Sequence, residues 1–323
     1  MPMAMRIHET GGPEAMRWEE VASRPPGAGE VRVRTTAIGV NFIDVYFRTG
    51  LYKQDLPFTA GKEAAGVVEE VGAGVTAFSV GDRVASASLP GAYATEITAP
   101  AAIFVKVPDT IADETAAAMM LKGMTARYLL RKTFRVEAGH TVLIHAASGG
   151  VGSIATQWAH HLGATVIGTV GSPEKAELAK AQGCDHTILY RDEDFVARVA
   201  EITGGAKCDV VYDSVGQAAY PGSLDCLKPL GMWVLFGQSS GPAKTFDPVM
   251  LSQKGSLFMT RPTLFSYTAT PETLAETAND LFDVVASGAV KIEIGNRFAL
   301  SDAADAHRAL EGRQTTGSTV LIL

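Results

Sequence analysis

Along the first third of the chain, apolar and polar positions alternate in short stretches broken by turn residues, the period of half-buried strands. Positions 30–40 (EVRVRTTAIGV) and 64–71 (AAGVVEEV) predict two such strands, the second closed by Gly72, Ala73 and Gly74. Positions 78–85, 92–97 and 102–107 continue the series and predict a small, irregular barrel. After Pro108 the pattern changes. A run of Ala, Met and Leu behind Asp113 as N-cap predicts a helix over 109–131. Strands at 141–145, 165–170, 187–189, 208–213, 233–236 and 256–260 then alternate with helices at 152–162, 173–182, 195–203 and 218–227. That alternation predicts an α/β fold with a parallel sheet covered on both faces. A helix at 271–287, a strand at 290–294, a helix at 303–310 and a strand at 318–322 break the alternation, and are assigned back to the first domain.

Composition narrows the setting. With 323 residues the chain is long enough for two cores. The formal charge of −7 argues against nucleic acid or an anionic membrane as the partner. Cys184, Cys208 and Cys226 fit neither a disulfide framework nor the paired spacing of a zinc site, and read as reduced, buried small hydrophobes. The first nine residues lack the apolar region of a signal peptide, and no stretch has the roughly 18–20 unbroken apolar residues of a membrane span. These features predict a cytoplasmic protein.

The sharpest chemical signal lies between the strand Thr141-Val-Leu-Ile-His145 and the following helix, where the chain reads Ala146-Ala-Ser-Gly-Gly-Val-Gly152. Glycines in such a turn let the backbone approach a pyrophosphate, and the helix start offers free N–H groups and the positive end of its dipole. Ser148, Gly149, Gly150 and Val151 are therefore candidate dinucleotide contacts. At the end of the next strand, where an acid would hold the ribose hydroxyl of NAD, the sequence has Val170 followed by Gly171 and Ser172. Those two residues leave room for a phosphate, Lys175 can pair with it, and Tyr190 can add a donor. NADPH is the expected cofactor. Glu174 reads as a carboxylate compensating the helix dipole.

Further motifs along the chain are Val40-Asn-Phe-Ile-Asp-Val-Tyr46, Arg48-Thr-Gly-Leu-Tyr52, Gly61-Lys-Glu-Ala-Ala-Gly66, Val80-Gly-Asp-Arg-Val84, Tyr212-Asp-Ser-Val-Gly216, Phe236-Gly-Gln-Ser-Ser-Gly241 and Gln253-Lys-Gly-Ser256. With the glycine loop, these segments resemble the medium-chain dehydrogenase/reductase superfamily, and within it the zinc-free quinone oxidoreductases related to zeta-crystallin. The resemblance implies a GroES-like β-barrel catalytic domain over 1–123 and 262–323, and a doubly wound Rossmann NADPH-binding domain over 124–261. Zinc enzymes of the superfamily carry a Cys where this chain has Asn41, and Gly-His-Glu where it has Gly61-Lys62-Glu63. Neither Asn41 nor Lys62 is a usual zinc ligand. Polarising an alcohol is then difficult, and reduction of an electron-poor acceptor is the easier task.

The resemblance also implies that Asn41, Tyr46 and Tyr52 line the acceptor pocket. Asn41 can donate to a carbonyl oxygen gaining charge, and the tyrosines can stack on a flat ring and offer a hydroxyl. The same residues also suit plainer roles, Asn41 in satisfying backbone groups and the tyrosines in packing. Asp44 reads as structural, and Lys62 as a cation in the lost metal's place paired with a carboxylate. Thr125 is expected near the nicotinamide with Lys122 close by, Phe236, Gln238 and Ser239 at the carboxyl side of the sheet, and Arg261 at the domain junction. Asp213 is read as ordering its loop, and His145 as a satisfied structural imidazole.

The expected activity is electron transfer from NADPH to a small-molecule quinone in a cleft between the domains, without zinc. An NADPH-dependent alkenal or enone reductase is the alternative, as is a non-catalytic NADPH sensor. The acidic chain is expected to bind neither nucleic acid nor membrane. A homodimer is expected through the edge strand near 256–260, because unpaired edges are usually covered.

Overall fold

The computed structural model describes residues 1–243 and 246–323, in two compact units: Met1–Met124 with Thr268–Ala286 and Ile292–Leu323, and Thr125–Tyr267 with Ser287–Lys291. The first unit opens with β1 (Met3–Ile7), β2 (Met16–Glu20) and the long β3 (Glu30–Val40). A short helix, α1 (Phe42–Arg48), follows directly, then β4 (Phe58–Thr59), β5 (Glu63–Val71), β6 (Arg83–Ser86), β7 (Glu96–Pro100) and β8 (Val105–Lys106). Sequence periodicity misses α1, because its apolar residues continue those of β3. The start signal is nonetheless present: Asn41 is the N-cap, and the Asp44 carboxylate three residues on accepts the Asn41 backbone N–H at 2.9 Å. Gly50, with φ +78, turns the chain away after the last helical turn. The helix α2 (Asp113–Tyr128) begins later than the pattern suggests, and ends in a π turn over Leu129–Thr133.

The second unit carries the alternation. It comprises β9 (Thr141–His145), α3 (Gly150–His161), β10 (Thr165–Val170), α4 (Pro173–Ala181), β11 (His186–Leu189), α5 (Phe195–Ile202), β12 (Cys208–Asp213), α6 (Gly222–Asp225), β13 (Leu227–Leu235), α7 (Val249–Gln253), β14 (Phe258–Thr260) and α8 (Leu264–Tyr267). Its strands are all parallel, in the order β11-β10-β9-β12-β13-β14. This is the doubly wound order with its switch point between β9 and β12, where open α/β sheets take their ligands. Every residue of β12 is buried, as a strand covered on both faces requires. Two expectations need correction. The helix foreseen over 218–227 shrinks to Gly222–Asp225, since Pro221 has no N–H to carry an earlier turn. The strand foreseen over 233–236 extends back to Leu227, with a register shift in its pairing to β12 after Cys208.

The last part of the chain supplies α9 (Pro271–Ala286), β15 (Ile294–Ala299), α10 (Ala303–Glu311) and β16 (Ser318–Ile322) to the first unit. The strand foreseen at 290–294 lies instead at Ile294–Ala299, where alternate residues are half-buried, and it pairs parallel to β16. β16 in turn pairs antiparallel to β3, matching Leu321 with Ile38. Among the described residues, one sheet of this unit runs β15-β16-β3-β5-β6-β8 with β7 also on β3, and a second runs β2-β1-β4. A single bridge between Ala4 and Ala94 joins β1 to the segment before β7. Ile7, Ile38, Leu89, Tyr93 and Leu321 are fully buried in the shared core. Tyr93 is the exception that brings a hydroxyl into that core.

Candidate functional site

In the first unit the chemistry gathers around α1. Asn41 is buried, and its side-chain amide donates to Glu63 Oε2 at 2.7 Å and to the Gly39 carbonyl at 3.4 Å. Glu63 is wholly buried at the head of β5. Its other oxygen accepts the Leu121 backbone N–H at 2.7 Å, while Lys122 Nζ lies 3.3 Å from Oε2. The lysine that meets this carboxylate is thus Lys122 and not Lys62. Lys62 instead stands 4.3 Å from the ring centre of Phe47, with its Nζ 3.4 Å from Gln54 Oε1. Burial lowers the Lys62 pKa, against a smaller opposing pull from Asp44. The reach of the side chains explains the difference: Lys62 precedes β5 and packs on an aromatic cluster, whereas Lys122 comes from the facing helix α2.

That cluster holds both candidate tyrosines. Tyr46 lies 5.6 Å from Phe42 and 5.2 Å from Tyr52, centre to centre, and Tyr52 lies 5.6 Å from Phe47. Tyr46 is buried and Tyr52 half-buried, and the Tyr52 backbone N–H donates to the Tyr46 carbonyl at 3.0 Å. Three site residues proposed from sequence, Asn41, Tyr46 and Tyr52, therefore belong to one helix and its immediate flanks.

Behind α1 runs a buried polar chain. Tyr93 Oη stands 3.0 Å from Asp44 Oδ2 and 3.0 Å from His307 Nε2. Burial pushes the Asp44 carboxyl up to about 7, against bonds from Asn41 and Tyr93 that favour its charged form. Burial pulls the His307 imidazole down to about 3, with the Arg48 cation adding to the effect. Arg48, fully buried, places Nη2 at 2.8 Å from both oxygens of Glu311, tying α1 to α10. Asp44 is structural in the sense foreseen; His307 and Tyr93 carried no signal in the sequence, and Arg48 entered only as the start of the motif Arg48-Thr-Gly-Leu-Tyr52.

In the second unit the glycine loop leaves β9 and starts α3. Gly149 is the N-cap with no side-chain cap, so the first N–H groups of the helix await another acceptor. Gly152 is required by space, because a Cβ there would stand 2.1 Å from the Ala146 carbonyl oxygen. Ser148 is buried at the turn. Next door, Val170 ends β10 and pairs with Leu189, which brings Tyr190 beside Gly171. A Cβ on Gly171 would stand 3.0 Å from the Tyr190 hydroxyl. Ser172 caps α4, accepting the Lys175 N–H at 3.4 Å, and its hydroxyl also holds the Glu174 pKa down. The fold thus brings Gly171, Ser172, Lys175 and Tyr190 to the ends of β10 and β11, with an apolar Val170 where an acid would favour NAD. This donor set fits a dinucleotide carrying a 2′-phosphate.

At the switch point, Asp213 is fully buried and spends both oxygens. Oδ1 accepts the N–H groups of Val215 and Gly216 at 2.8 and 2.9 Å; Oδ2 accepts Ser223 Oγ at 3.0 Å and Trp233 Nε1 at 3.1 Å. His145 reaches Ser223 Oγ at 3.1 Å and Thr169 Oγ1 at 3.0 Å, and burial lowers its pKa against a smaller pull from Asp213. Ser223, in α6, bridges His145 and Asp213 and bonds the Ala219 carbonyl, which anchors the loop after β12. The ordered loop after β12 receives the loop after β13: Phe236 N–H bonds Asp213 O at 2.9 Å and Ser239 N–H bonds Ser214 O at 3.1 Å. Phe236, Gln238 and Ser239 follow that strand. Thr125 is buried in α2, while Arg261 is exposed just beyond β14, near the stacked pair Tyr128 and Tyr267.

Residues 27–109 match the family described as alcohol dehydrogenase GroES-like domain, and 150–283 match zinc-binding dehydrogenase. A quinone oxidoreductase of Pseudomonas aeruginosa is 52% identical, covering 99% of this chain and 100% of its own. A 2-haloacrylate reductase of a Burkholderia species is 50% identical, covering 100% and 99%. The structure of Escherichia coli quinone oxidoreductase complexed with NADPH superposes with a TM-score of 0.97 at 46% identity, covering 99% of this chain and 100% of that one. The zinc of the second family's description does not fit the residues present. Among the described residues no three His, Cys, Asp or Glu side chains gather as metal ligands, and an amide and an ammonium flank Glu63 instead.

Proposed function

The chain belongs to the medium-chain dehydrogenase/reductase superfamily, among its quinone oxidoreductases, and from that premise we propose that it is an NADPH-dependent, zinc-independent quinone reductase. The observation that carries the reading is the centre beside α1, where Asn41, Glu63 and Lys122 meet at one carboxylate oxygen. Such a centre lacks the thiolate and imidazole donors that hold a Lewis acid, so an alcohol has nothing to polarise it. An electron-poor quinone already carries its driving force. In this reading Ser148, Gly149, Gly150 and Val151 hold the pyrophosphate, and Gly171, Ser172, Lys175 and Tyr190 the 2′-phosphate. Thr125, Phe236, Gln238, Ser239 and Arg261 complete the cofactor's surroundings. NADPH supplies the hydride when bound. Tyr46 and Tyr52 offer the acceptor aromatic surface, and Asn41 holds the polar side of the pocket in place.

Reduction of an activated double bond is a second reading, favoured by the 50% identity to a 2-haloacrylate reductase. Turnover measured with NADPH and with NADH, each against a quinone, an enoate and a simple aldehyde, separates the two. Quinone turnover with NADPH ahead of NADH supports the proposal. Enoate turnover alone moves the function to double-bond reduction, and binding without turnover reduces the chain to a sensor. A cytoplasmic homodimer completes the proposal: the three cysteines are free and buried, as a reducing compartment allows, and β14 leaves an edge with Phe258 exposed. Among the described residues no helix is long and apolar enough to cross a membrane.

A further inference from the structure

Lys122 is 6% exposed, and among the described residues its ammonium meets one hydrogen-bond partner, Glu63 Oε2 at 3.3 Å. An ammonium has three N–H donors, so two are unspent in a place where water reaches poorly. The arrangement is built and not incidental. Gly39 lacks a Cβ that would stand 2.1 Å from Glu63 Oε2 and 2.2 Å from the Ala117 carbonyl, so β3 leaves the space this carboxylate fills. Asn41, the donor expected from sequence, has its amide directed to Glu63 and to the Gly39 carbonyl, whereas Lys122 keeps donors to give.

We propose that Lys122 is the electrophile of this centre, its ammonium stabilising and then protonating the acceptor oxygen in the place where zinc relatives use a metal. The inference rests on the reading of the chain as a quinone reductase. Arrival of a hydride opens the acceptor's C=O π bond and leaves negative charge on oxygen. One Nζ–H bond of Lys122 breaks as the new O–H bond forms, and the neutral amine regains its proton from water. Glu63 positions the ammonium, and Asn41 positions Glu63. Asp44 is the other carboxyl whose charge Lys122 feels.

The test compares the wild type with K122M and K122R, each required to melt as the wild type does and to quench tryptophan fluorescence normally on binding NADPH. Para-nitrophenol serves as a turnover-free probe, because its absorbance reports its ionisation. Wild type is expected to lower the bound phenol's pKa by about one unit, and K122M to abolish the shift. Quinone kcat is expected to fall about 100-fold in K122M with the NADPH KM unchanged. K122R is expected to keep the phenol shift without recovering kcat, since a guanidinium does not release its proton at these pH values. A phenol pKa and a kcat alike in K122M and wild type overturn the proposal. If the wild type reduces no quinone yet its phenol shift needs Lys122, the quinone reading fails and the electrophile stands. Should K122M not fold, K122Q gives the same two readings.

Discussion

Asp44 and His307 stand at opposite ends of one hydrogen-bonded chain through the Tyr93 hydroxyl, and burial moves their proton affinities in opposite directions. Asp44, raised from 3.8 to about 7, binds more proton folded than unfolded across that window, so its contribution to stability falls as pH rises through it. His307, lowered from 6.5 to about 3, binds less proton folded than unfolded, so its contribution rises with pH between those values. The two slopes oppose each other across most of the acidic range. Asp44→Asn is therefore expected to become relatively more stable as pH climbs from about 4 to 7. His307→Gln is expected to gain on the wild type progressively as pH falls from about 6.5 to 3, because His307 resists protonation there. Each effect is on the order of a few kcal/mol at most. Urea titrations at stepped pH read both; parallel profiles for variant and wild type would contradict this account. None of it was legible in the sequence, where Asp44 and His307 lie far apart and Tyr93 joins them only in the folded core.

At the scale of elements, legibility follows the strength of the local pattern. Glu30–Val40, Cys208–Asp213 and Ser318–Ile322 stand where periodicity puts them, because each is an apolar or alternating run closed by turn residues. β1 and β2, five residues each, are missed, although Gly11-Gly12-Pro13 separates them and Pro25-Pro26-Gly27 follows. The short α1 is missed because its seven residues follow a buried strand with the single polar residue Asn41 between them. The glycine loop was legible because strand, glycines and helix occur in strict succession. Its geometry also sets a prediction. Gly152→Ala brings a methyl against the Ala146 carbonyl, which cannot move without shifting the turn, at a cost of about 1–3 kcal/mol. NADPH affinity, followed by fluorescence titration, is expected to drop at least about tenfold, while the first unit keeps its own core. An unchanged affinity would mean that this turn does not carry the pyrophosphate.

For the whole molecule, the division into a β-rich unit and a parallel-sheet unit was readable from the change of period after Pro108. The ammonium beside Glu63 was not. Lys122 sits in a run of helix-forming residues, and only the packing of α2 against β5 reveals its partner. The exposed edge of β14, with Phe258 and the nearby Leu230 both more than half exposed, makes the homodimer testable. Sedimentation at increasing concentration is expected to show a dimer in the wild type and a monomer in Phe258→Lys, where an edge charge blocks pairing. A monomeric wild type would remove the dimer without touching the chemistry.

The central claim is that the chain passes electrons from NADPH to a quinone with its own side chains in place of a metal. The most direct measurement is the loss of NADPH absorbance with a quinone, on enzyme dialysed against a chelator and checked for residual zinc. The account predicts full turnover in metal-depleted enzyme, with no gain on adding zinc. Turnover that disappears on chelation and returns with zinc would contradict it.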